Sequence, residues 1–557
     1  MTSAIAGESR RRLLLLILVG VLLGACDSDR PAGTQTDSPP ATTTPTVMAQ
    51  SVARDVNQPR VARVAVPAGL RDLLAGLLPW VPHDFEELRL ADEHAQAGIR
   101  VVVSDPMGAD PVVRRWSVVS AAARIDLNGV STAAVDQAIR DGRFFVAAEH
   151  LALTEGFFAG AGAIAAVPGE ALPEKLAATP DALALMPVDA VSVRVRALAL
   201  DGIDPVRGEG DVRAYPLVTR ARVAAVDQSP EVVEVAARIA AGLAQAARPP
   251  IHVTFTGDLI PARCVYDQLQ QLGDWMAPFR SIGGRLRGAD LTIGSLDAAI
   301  SGSGRPIGCR ETFSLLAPPE AIEGLVAGGF DLLSVATNHV KDCGASGPCG
   351  DTTFVDTLAL LRAAGIAPAG GGMNLAEARR PVVLTTGGVR FAFLAYDDVA
   401  AYYHATETAA GTAPLDEATL VEDIQAARAV ADVVIVLPQW GVEYTPDPTE
   451  RQQRIAALAI DSGATLVAGN HPHVVQAAAP LGDGYVAYAL GNLVFDQDWS
   501  QETMEGIVLE TAFHGPRLVA VRFVPYRIER RVEPVPVDGD AAATILRRMM
   551  AAANALR

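Results

Sequence analysis

Positive charge is scarce in this chain. Its 46 lysines and arginines are outnumbered by 64 aspartates and glutamates, which leaves a formal net charge of −18. That balance argues against nucleic acid or an anionic lipid surface as partner, because both are held by basic patches. A local cationic or metal-filled pocket stays open. Long apolar runs are scarce as well: the N-terminal one, Leu13 to Leu23, is too short to span a bilayer permanently. Cysteine is limited to five residues, and no internal repeat is visible. What is present is length: 557 residues, half of them apolar, suffice for two or more separate cores.

The N-terminus has the basic, apolar and small-residue parts of a secretory signal, Arg10-Arg11-Arg12, Leu13 to Leu23 and Gly24-Ala25-Cys26. Leu23-Gly24-Ala25-Cys26 resembles the lipobox of bacterial lipoproteins, which implies cleavage before Cys26 and a lipid on that cysteine. The alternative is a plain cleaved signal with an incidental cysteine. Residues 27–60, rich in Thr, Pro, Ser and Asp, cannot bury a core and are expected to form a flexible tether. The functional part is then extracytoplasmic, held to a membrane by its lipid. Four cysteines remain after lipidation, Cys264, Cys309, Cys343 and Cys349, an even number for an oxidising compartment. Three pairings are possible. The short loop favours Cys343 with Cys349, leaving Cys264 with Cys309; zinc ligation by these thiols is the alternative.

Beyond the tether, residues 61–248 alternate short apolar strands, such as Ile99 to Val103, with helical stretches such as Thr132 to Asp141, the pattern of an α/β domain. Its last part, Ala182 to Pro187, Val195 to Asp204 and Tyr215-Pro-Leu217, resembles the later section of periplasmic phosphate-binding-type proteins. That resemblance implies a solute-binding-protein-like domain; an adaptor domain without a ligand is the alternative. Ser229-Pro230 starts a helix to about Ala247, and Pro249-Pro250 ends it, which sets the start of a second domain at residue 249.

From Ile251 onward, strand-like apolar runs repeatedly end in a polar residue, with helical patterns between several of them. This is the pattern of an α/β sheet with functional groups at its strand ends. The runs lead to Asp258, to Asp297, to Asn338-His339, to Gln439, and to His471 and His473 either side of Pro472. Carboxylates, amide oxygens and imidazoles are the donors that divalent zinc, manganese or iron accepts. Singly, each residue has a plainer reading as a turn, an Asx cap or a helix N-cap. At successive strand ends they make one candidate site. Asp447, Pro448 and Glu450 read as the capped start of a helix to Ser462, with Gly463 as its stop.

From Val253 to about Asp496 the chain resembles the CapA family, poly-γ-glutamate capsule biosynthesis proteins within the calcineurin-like metallophosphatase superfamily. The resemblance rests on Thr256-Gly-Asp258, the segment Asp331 to Asp342, Gln439-Trp-Gly-Val-Glu443, Gly469-Asn-His-Pro-His473 and Leu490-Gly-Asn-Leu-Val-Phe-Asp496. It implies an α/β/β/α sandwich over residues 249–557 with one or two divalent metals at the strand ends. It further implies Asp258 on one metal, Asp297 bridging, Asn338 on the second, His471 and His473 completing the set, and His339 as the acid for the leaving group. Three positions depart from the family pattern: Ser295-Leu-Asp297 replaces Asn-Leu-Glu, Gln439 replaces a histidine ligand with a weaker amide, and Asn470 stands where many members have a further histidine.

The resemblance implies a surface lipoprotein of capsule or other envelope-polymer biosynthesis or processing. One reading is metal-dependent hydrolysis of an anionic envelope polymer or a phosphoester, with a nucleotide-dependent ligation set aside because the compartment supplies no nucleotide. A second is a polymer-anchoring or export scaffold with a degenerate metal site, and a third is a solute sensor in the N-terminal domain.

Overall fold

Apolar residues in the C-terminal half alternate with period two, and both faces of the alternation are buried. In strand Val389–Asp397, Phe391, Phe393 and Ala395 enter one core while Ala392, Leu394 and Tyr396 enter another. Strand Val433–Gln439 does the same, with Val433, Ile435 and Leu437 on one side and Val434 and Val436 on the other. A strand covered on both faces reads as an unbroken apolar run, which is what a mainly parallel sheet between two layers requires. The fold is accordingly α/β. The computed structural model describes residues 61–75, 87–91, 96–124, 127–154, 156–158, 160–310, 312–347 and 349–556. The signal, Cys26 and the tether lie outside the described residues.

Two sheets form the body of the C-terminal part. The first has eight strands, in the order Ala367–Ala369, Leu332–Ser334, Leu291–Leu296, Ile251–Leu259, Glu505–His514, Arg517–Glu529, Glu533–Pro536, with Asn492–Val494 pairing the end of Ile251–Leu259. The second has six, in the order Val382–Thr386, Val389–Asp397, Val433–Gln439, Leu466–Ala468, Gly484–Ala487, Ala478–Leu481. Val253, Phe255, Ile293 and Leu332 of the first meet Phe391, Phe393, Ile435 and Leu466 of the second in a shared core. Leu259, Leu296 and Leu333 pack outward with Val265, Leu269, Leu325 and Leu358 of the flanking helices. On the far side Leu420, Ile424, Ile455 and Ala459 cover the second sheet. The result is helix, sheet, sheet, helix.

Parallel pairing decides where the polar strand ends fall. Ile251–Leu259, Leu291–Leu296 and Leu332–Ser334 run parallel, so their C-terminal ends share one edge. Val389–Asp397, Val433–Gln439 and Leu466–Ala468 do likewise in the second sheet. The helix expected after Asp447 is Glu450–Asp461, and its cap is Thr449: the Thr449 hydroxyl accepts from the Gln452 amide while the Gln452 side chain accepts from the Thr449 amide.

The N-terminal part is a ten-stranded sheet whose strand Val112–Ala121 lies between Val218–Ala225 and Leu183–Pro187. Helix Pro230–Ala246, entered through Ser229 with Pro230 at its first position, buries Val235, Ile239 and Leu243 against Val64, Ile99 and Val101. Val119, Leu172 and Val191 share a core with Ala512, Val519 and Ala520 of the first sandwich sheet, and Arg522 binds Glu209 and Glu510, each at 2.5 Å. Residues 59–557 form one compact unit. No described helix is long and apolar enough to cross a membrane.

Candidate metal centre

The first sheet delivers Asp258 through a local irregularity. Its strand shifts register between Phe255 and Asp258, and at Gly257 a Cβ would meet the Gly491 carbonyl at 2.0 Å, so only glycine allows the two backbones to pass. The Asp258 amide donates to that carbonyl at 3.0 Å. Asp297 follows Leu291–Leu296 directly, and Asn338 and His339 follow Leu332–Ser334. The second sheet delivers Gln439 as the last residue of its strand, and His471 and His473 just past Leu466–Ala468.

These ends meet across the gap between the sheets. The His471 amide donates to Asp258 Oδ2 at 3.2 Å, Gln439 Nε2 donates to Asn338 Oδ1 at 3.1 Å, and Asn470 Nδ2 donates to the Thr256 carbonyl at 3.3 Å. His473 Nδ1 lies 3.6 Å from Asp258 Oδ2, and the two imidazole centroids are 6.0 Å apart. Asp258, Asp297, Asn338, Gln439, His471 and His473 are all buried. His471 and His473 both take positive φ, 100° and 59°. Left-handed backbone at a non-glycine costs on the order of 1–3 kcal/mol and persists only where surroundings impose it. Here the Tyr444 amide donates to the Pro472 carbonyl at 2.8 Å, and His471 is tied to Asp258.

Several buried polar atoms in this gap have no protein partner: Asp258 Oδ1, both oxygens of Asp297, His471 Nδ1 and Asn470 Oδ1. Burying a carboxylate without a partner is costly, and the site carries that cost in its proton affinities. Burial and the nearby Asp297 charge raise Asp258 well above the usual carboxylate range. Burial pushes Asp297 up to about 6. It pushes His471 down to about 4 and His473 down to about 3, so both imidazoles are neutral, the form that ligates metal. Asn492 sets the His473 tautomer: its Nδ2 donates to the Gln497 side chain and to the His473 and Thr503 carbonyls, so its Oδ1 accepts from His473 Nδ1 at 2.9 Å. That leaves the Nε2 lone pair of His473 free.

By its chemistry, though not by its placement, the donor set suits a divalent cation on the carboxylate and imidazole side. It fits less well on the amide side, because Asn338 Oδ1 is already taken by Gln439. Among the described residues, no group of three His, Cys, Asp or Glu side chains is arranged to hold a metal ion.

His339 stands beside these groups. Burial opposes its charge, but Asp297 and the hydrogen-bonded Asp342 outweigh it and raise the imidazole to about 9. Asp342 Oδ2 meets His339 Nδ1 at 2.7 Å and takes the Leu315 amide at 2.7 Å, while its Oδ1 accepts the Tyr403 hydroxyl at 2.8 Å. Sequence reasoning gave no role to Asp342, Tyr403 or Asn492. The spacing of His339 to Asp342 was a usable signal; nothing local marks Tyr403. Asp496 turns to a different task, accepting from the Arg263 guanidinium at 3.2 Å and the Cys264 amide at 2.9 Å. Cys264 is bonded to Cys309 and Cys343 to Cys349, so each bridge adjoins a residue of this region, Arg263 or Asp342.

Comparison with known proteins covers this part of the chain. Residues 252–497 match the family described as bacterial capsule synthesis protein PGA_cap. The chain is 28% identical over 295 residues to the capsule biosynthesis protein CapA of Bacillus anthracis, covering 52% of this chain and 69% of that protein. It is 27% identical over 309 residues to the PGA biosynthesis protein CapA of Bacillus subtilis, covering 55% of this chain and 79% of that protein. Solved structures that align with it include the NAD nucleotidase of Haemophilus influenzae, at 12% identity and TM-score 0.33 over 54% of this chain and 56% of that one. An ABC-type phosphate transport receptor from Vibrio cholerae aligns at 9% identity and TM-score 0.26 over 32% of this chain and 93% of that one. Over residues 252–497, the chain is thus similar to the CapA-type capsule synthesis proteins.

Proposed function

We propose that this protein is a lipid-anchored envelope protein, held through Cys26, whose CapA-type domain hydrolyses an ester or acyl-type bond in a capsule or related envelope polymer with the help of a divalent metal. The observation that carries the reading is the set of uncompensated atoms on Asp258, Asp297 and His471. A protein gains nothing in stability from two buried, unpaired carboxylates, whereas a cation between them satisfies both. Asp258, Asp297, His471 and His473 would hold the first ion, manganese, zinc or iron; Asn338 and Gln439 would contribute to a second. When bound, such an ion supplies positive charge that polarises the scissile group and stabilises the negative charge developing on it.

The remaining chemistry belongs to side chains of this chain. Water adds to the scissile centre as the bond to the leaving group breaks, and His339 gives that departing group a proton from the ring nitrogen that faces away from Asp342, while Asp342 fixes the ring through Nδ1. Tyr403 and the Leu315 amide in turn hold Asp342. The relatives' names, capsule and PGA biosynthesis, support an envelope polymer as the substrate class.

A scaffold that holds polymer without cutting it is favoured by one specific contact, the bond from Gln439 to Asn338 Oδ1 that occupies a ligand position. The two readings separate on the purified full chain. Metal content is measured by mass spectrometry, and cleavage of bis-p-nitrophenyl phosphate is measured with and without manganese. Hydrolysis predicts bound metal, and a His339→Ala loss of about 10²–10⁴-fold in turnover with metal retained. The variant Gln439→His is expected to free Asn338 and add about one equivalent of metal. No bound metal in either protein supports the scaffold.

A further inference from the structure

Where the N-terminal part meets the sandwich, the two border a cavity of about 370 Å³. Arg207 and Glu209 line it from the N-terminal part, His252, Glu510 and Arg522 from the first sandwich sheet, and Arg285 from the short helix Gly283–Leu286. His252 begins the strand Ile251–Leu259 and Asp258 stands near its end, so about 20 Å of strand separates the cavity from the candidate metal centre. In a chain of net charge −18, three guanidinium groups at one cavity are a local reversal of sign.

The carboxylates of the lining are spent. Glu510 binds Arg285 at 2.7 Å and Arg522 at 2.5 Å, and Glu209 binds Arg522 at 2.5 Å. Arg207 is less well served. Its side chain is only 6% exposed, yet its Nε has no partner, and Nη1 and Nη2 donate to the Ala197 and Asn128 carbonyls at 3.4 Å each. Asp204 Oδ2 lies 2.5 Å from Nη2 but out of hydrogen-bonding line. Burial holds the proton affinity of Arg207 below the ordinary guanidinium value against the pull of Asp204, and the like charge of Arg522 adds to that. The His252 ring stands beside it: a Cβ built on Gly208 would lie 3.7 Å from the ring. Among the described residues that ring makes no hydrogen bond; the His252 backbone amide alone is bonded, to Asp290 at 2.8 Å. A covered guanidinium nitrogen and an imidazole without partners, lining one cavity, are donors that the fold itself leaves unused.

An oxyanion is the acceptor these groups lack. A planar carboxylate matches the edge of a guanidinium with two parallel bonds. A dianion such as phosphate is less well matched, because Glu209, Glu510 and Asp204 stand close by and repel the second charge. Ala512, Ala520 and Val521 supply an apolar wall, and the volume is that of a pocket for a small organic molecule. We propose that this cavity is a binding site for a small organic monocarboxylate, its carboxylate on Arg207 and His252 and its apolar body on Ala520 and Val521. The ligand then bridges the N-terminal part and the sheet that carries Asp258.

The test is calorimetric titration of the purified full chain with butyrate, benzoate and inorganic phosphate at constant ionic strength, with melting temperature measured in parallel. The site predicts saturable binding of at least one carboxylate, tighter than phosphate, and a melting temperature raised by about 2 °C at roughly ten times the dissociation constant. Gly284 lines the cavity, and a Cβ there meets nothing within 4 Å. Gly284→Phe therefore fills the space without a clash; it is expected to keep the melting temperature of the unliganded protein and to lower carboxylate affinity about 10-fold. Arg207→Gln is expected to lower it equally, and Gly284→Phe decides alone if that buried change unfolds the chain. Absence of binding to both carboxylates, phosphate as the tighter ligand, or affinity that Gly284→Phe leaves intact overturns the proposal. Binding abolished by Asp258→Asn overturns it too, since the ligand then sits at the metal centre.

Discussion

Buried charge is handled in two opposite ways in this molecule. In the N-terminal sheet, Arg114 is 1% exposed and every N–H of its guanidinium finds an acceptor: Asp189 and Asp72 at 2.6–3.1 Å and the Gly69 carbonyl at 2.8 Å. Trp116 lies beneath it at 5.9 Å, and His150 lies 3.4 Å away. In the sandwich, Asp258 and Asp297 are fully buried and keep oxygens without partners. A cluster that satisfies its own charges can hold a fold together but has no donor left for an outside anion. A cluster that leaves carboxylates unpaired is incomplete as protein and calls for a cation. His150 Nδ1 is the one unpartnered atom of the first cluster.

The contrast can be broken from either side. The largest expected effect is on Arg114: Arg114→Met leaves Asp72 and Asp189 facing each other without a cation and is expected to cost about 3–5 kcal/mol in urea unfolding. A loss below about 1 kcal/mol means the cluster does not lock the sheet. Next is Asp342→Asn, which weakens the hold on the His339 ring; turnover of the phosphodiester is expected to fall about 10–100-fold with metal content unchanged. An unchanged rate removes Asp342 from the mechanism. Smaller again is Asp258→Asn. By removing one of two coupled carboxylates it is expected to stabilise the metal-free protein by about 1 kcal/mol while abolishing metal uptake, the trade typical of a strained functional site. Destabilisation there means Asp258 is structural.

The smallest effect is on acid stability. Burial works against the Asp72 charge, but the His150 and Arg114 hydrogen bonds outweigh it and hold its carboxyl well below the usual range. A depressed folded-state value contributes stability that is complete above the unfolded carboxylate pKa near 4 and is lost as pH falls below it. Wild type is therefore expected to lose part of its unfolding free energy below about pH 4, and Asp72→Asn to lose less. Asp72 is about half exposed, which keeps the difference small.

How much of this was readable beforehand depends on the range of the interaction. The runs at Ile251, Val433 and Leu466 announced strands because both of their faces are covered, and the residues after them, Asp258, Gln439 and His471, fall at strand ends. Helix Glu450–Asp461 was foreseen to within a few residues, but its cap moved from Asp447 to Thr449, where a threonine and a glutamine satisfy each other's backbone. The Gln439 to Asn338 bond spans 101 residues and the Tyr403 to Asp342 bond 61, and no local pattern signals either.

By itself, the sequence determined which chemical groups stand at the strand ends and that the strands are sheathed on both sides, because periodicity and local turn chemistry are properties of neighbouring residues. Only the tertiary structure decided which of those groups are satisfied: Arg114 with all its acceptors, Gln439 spending its amide on Asn338, Asp258 and Asp297 left with bare oxygens. Whether a buried polar atom has a partner depends on how two sheets close on one another, and that closure brings together residues with no relation along the chain.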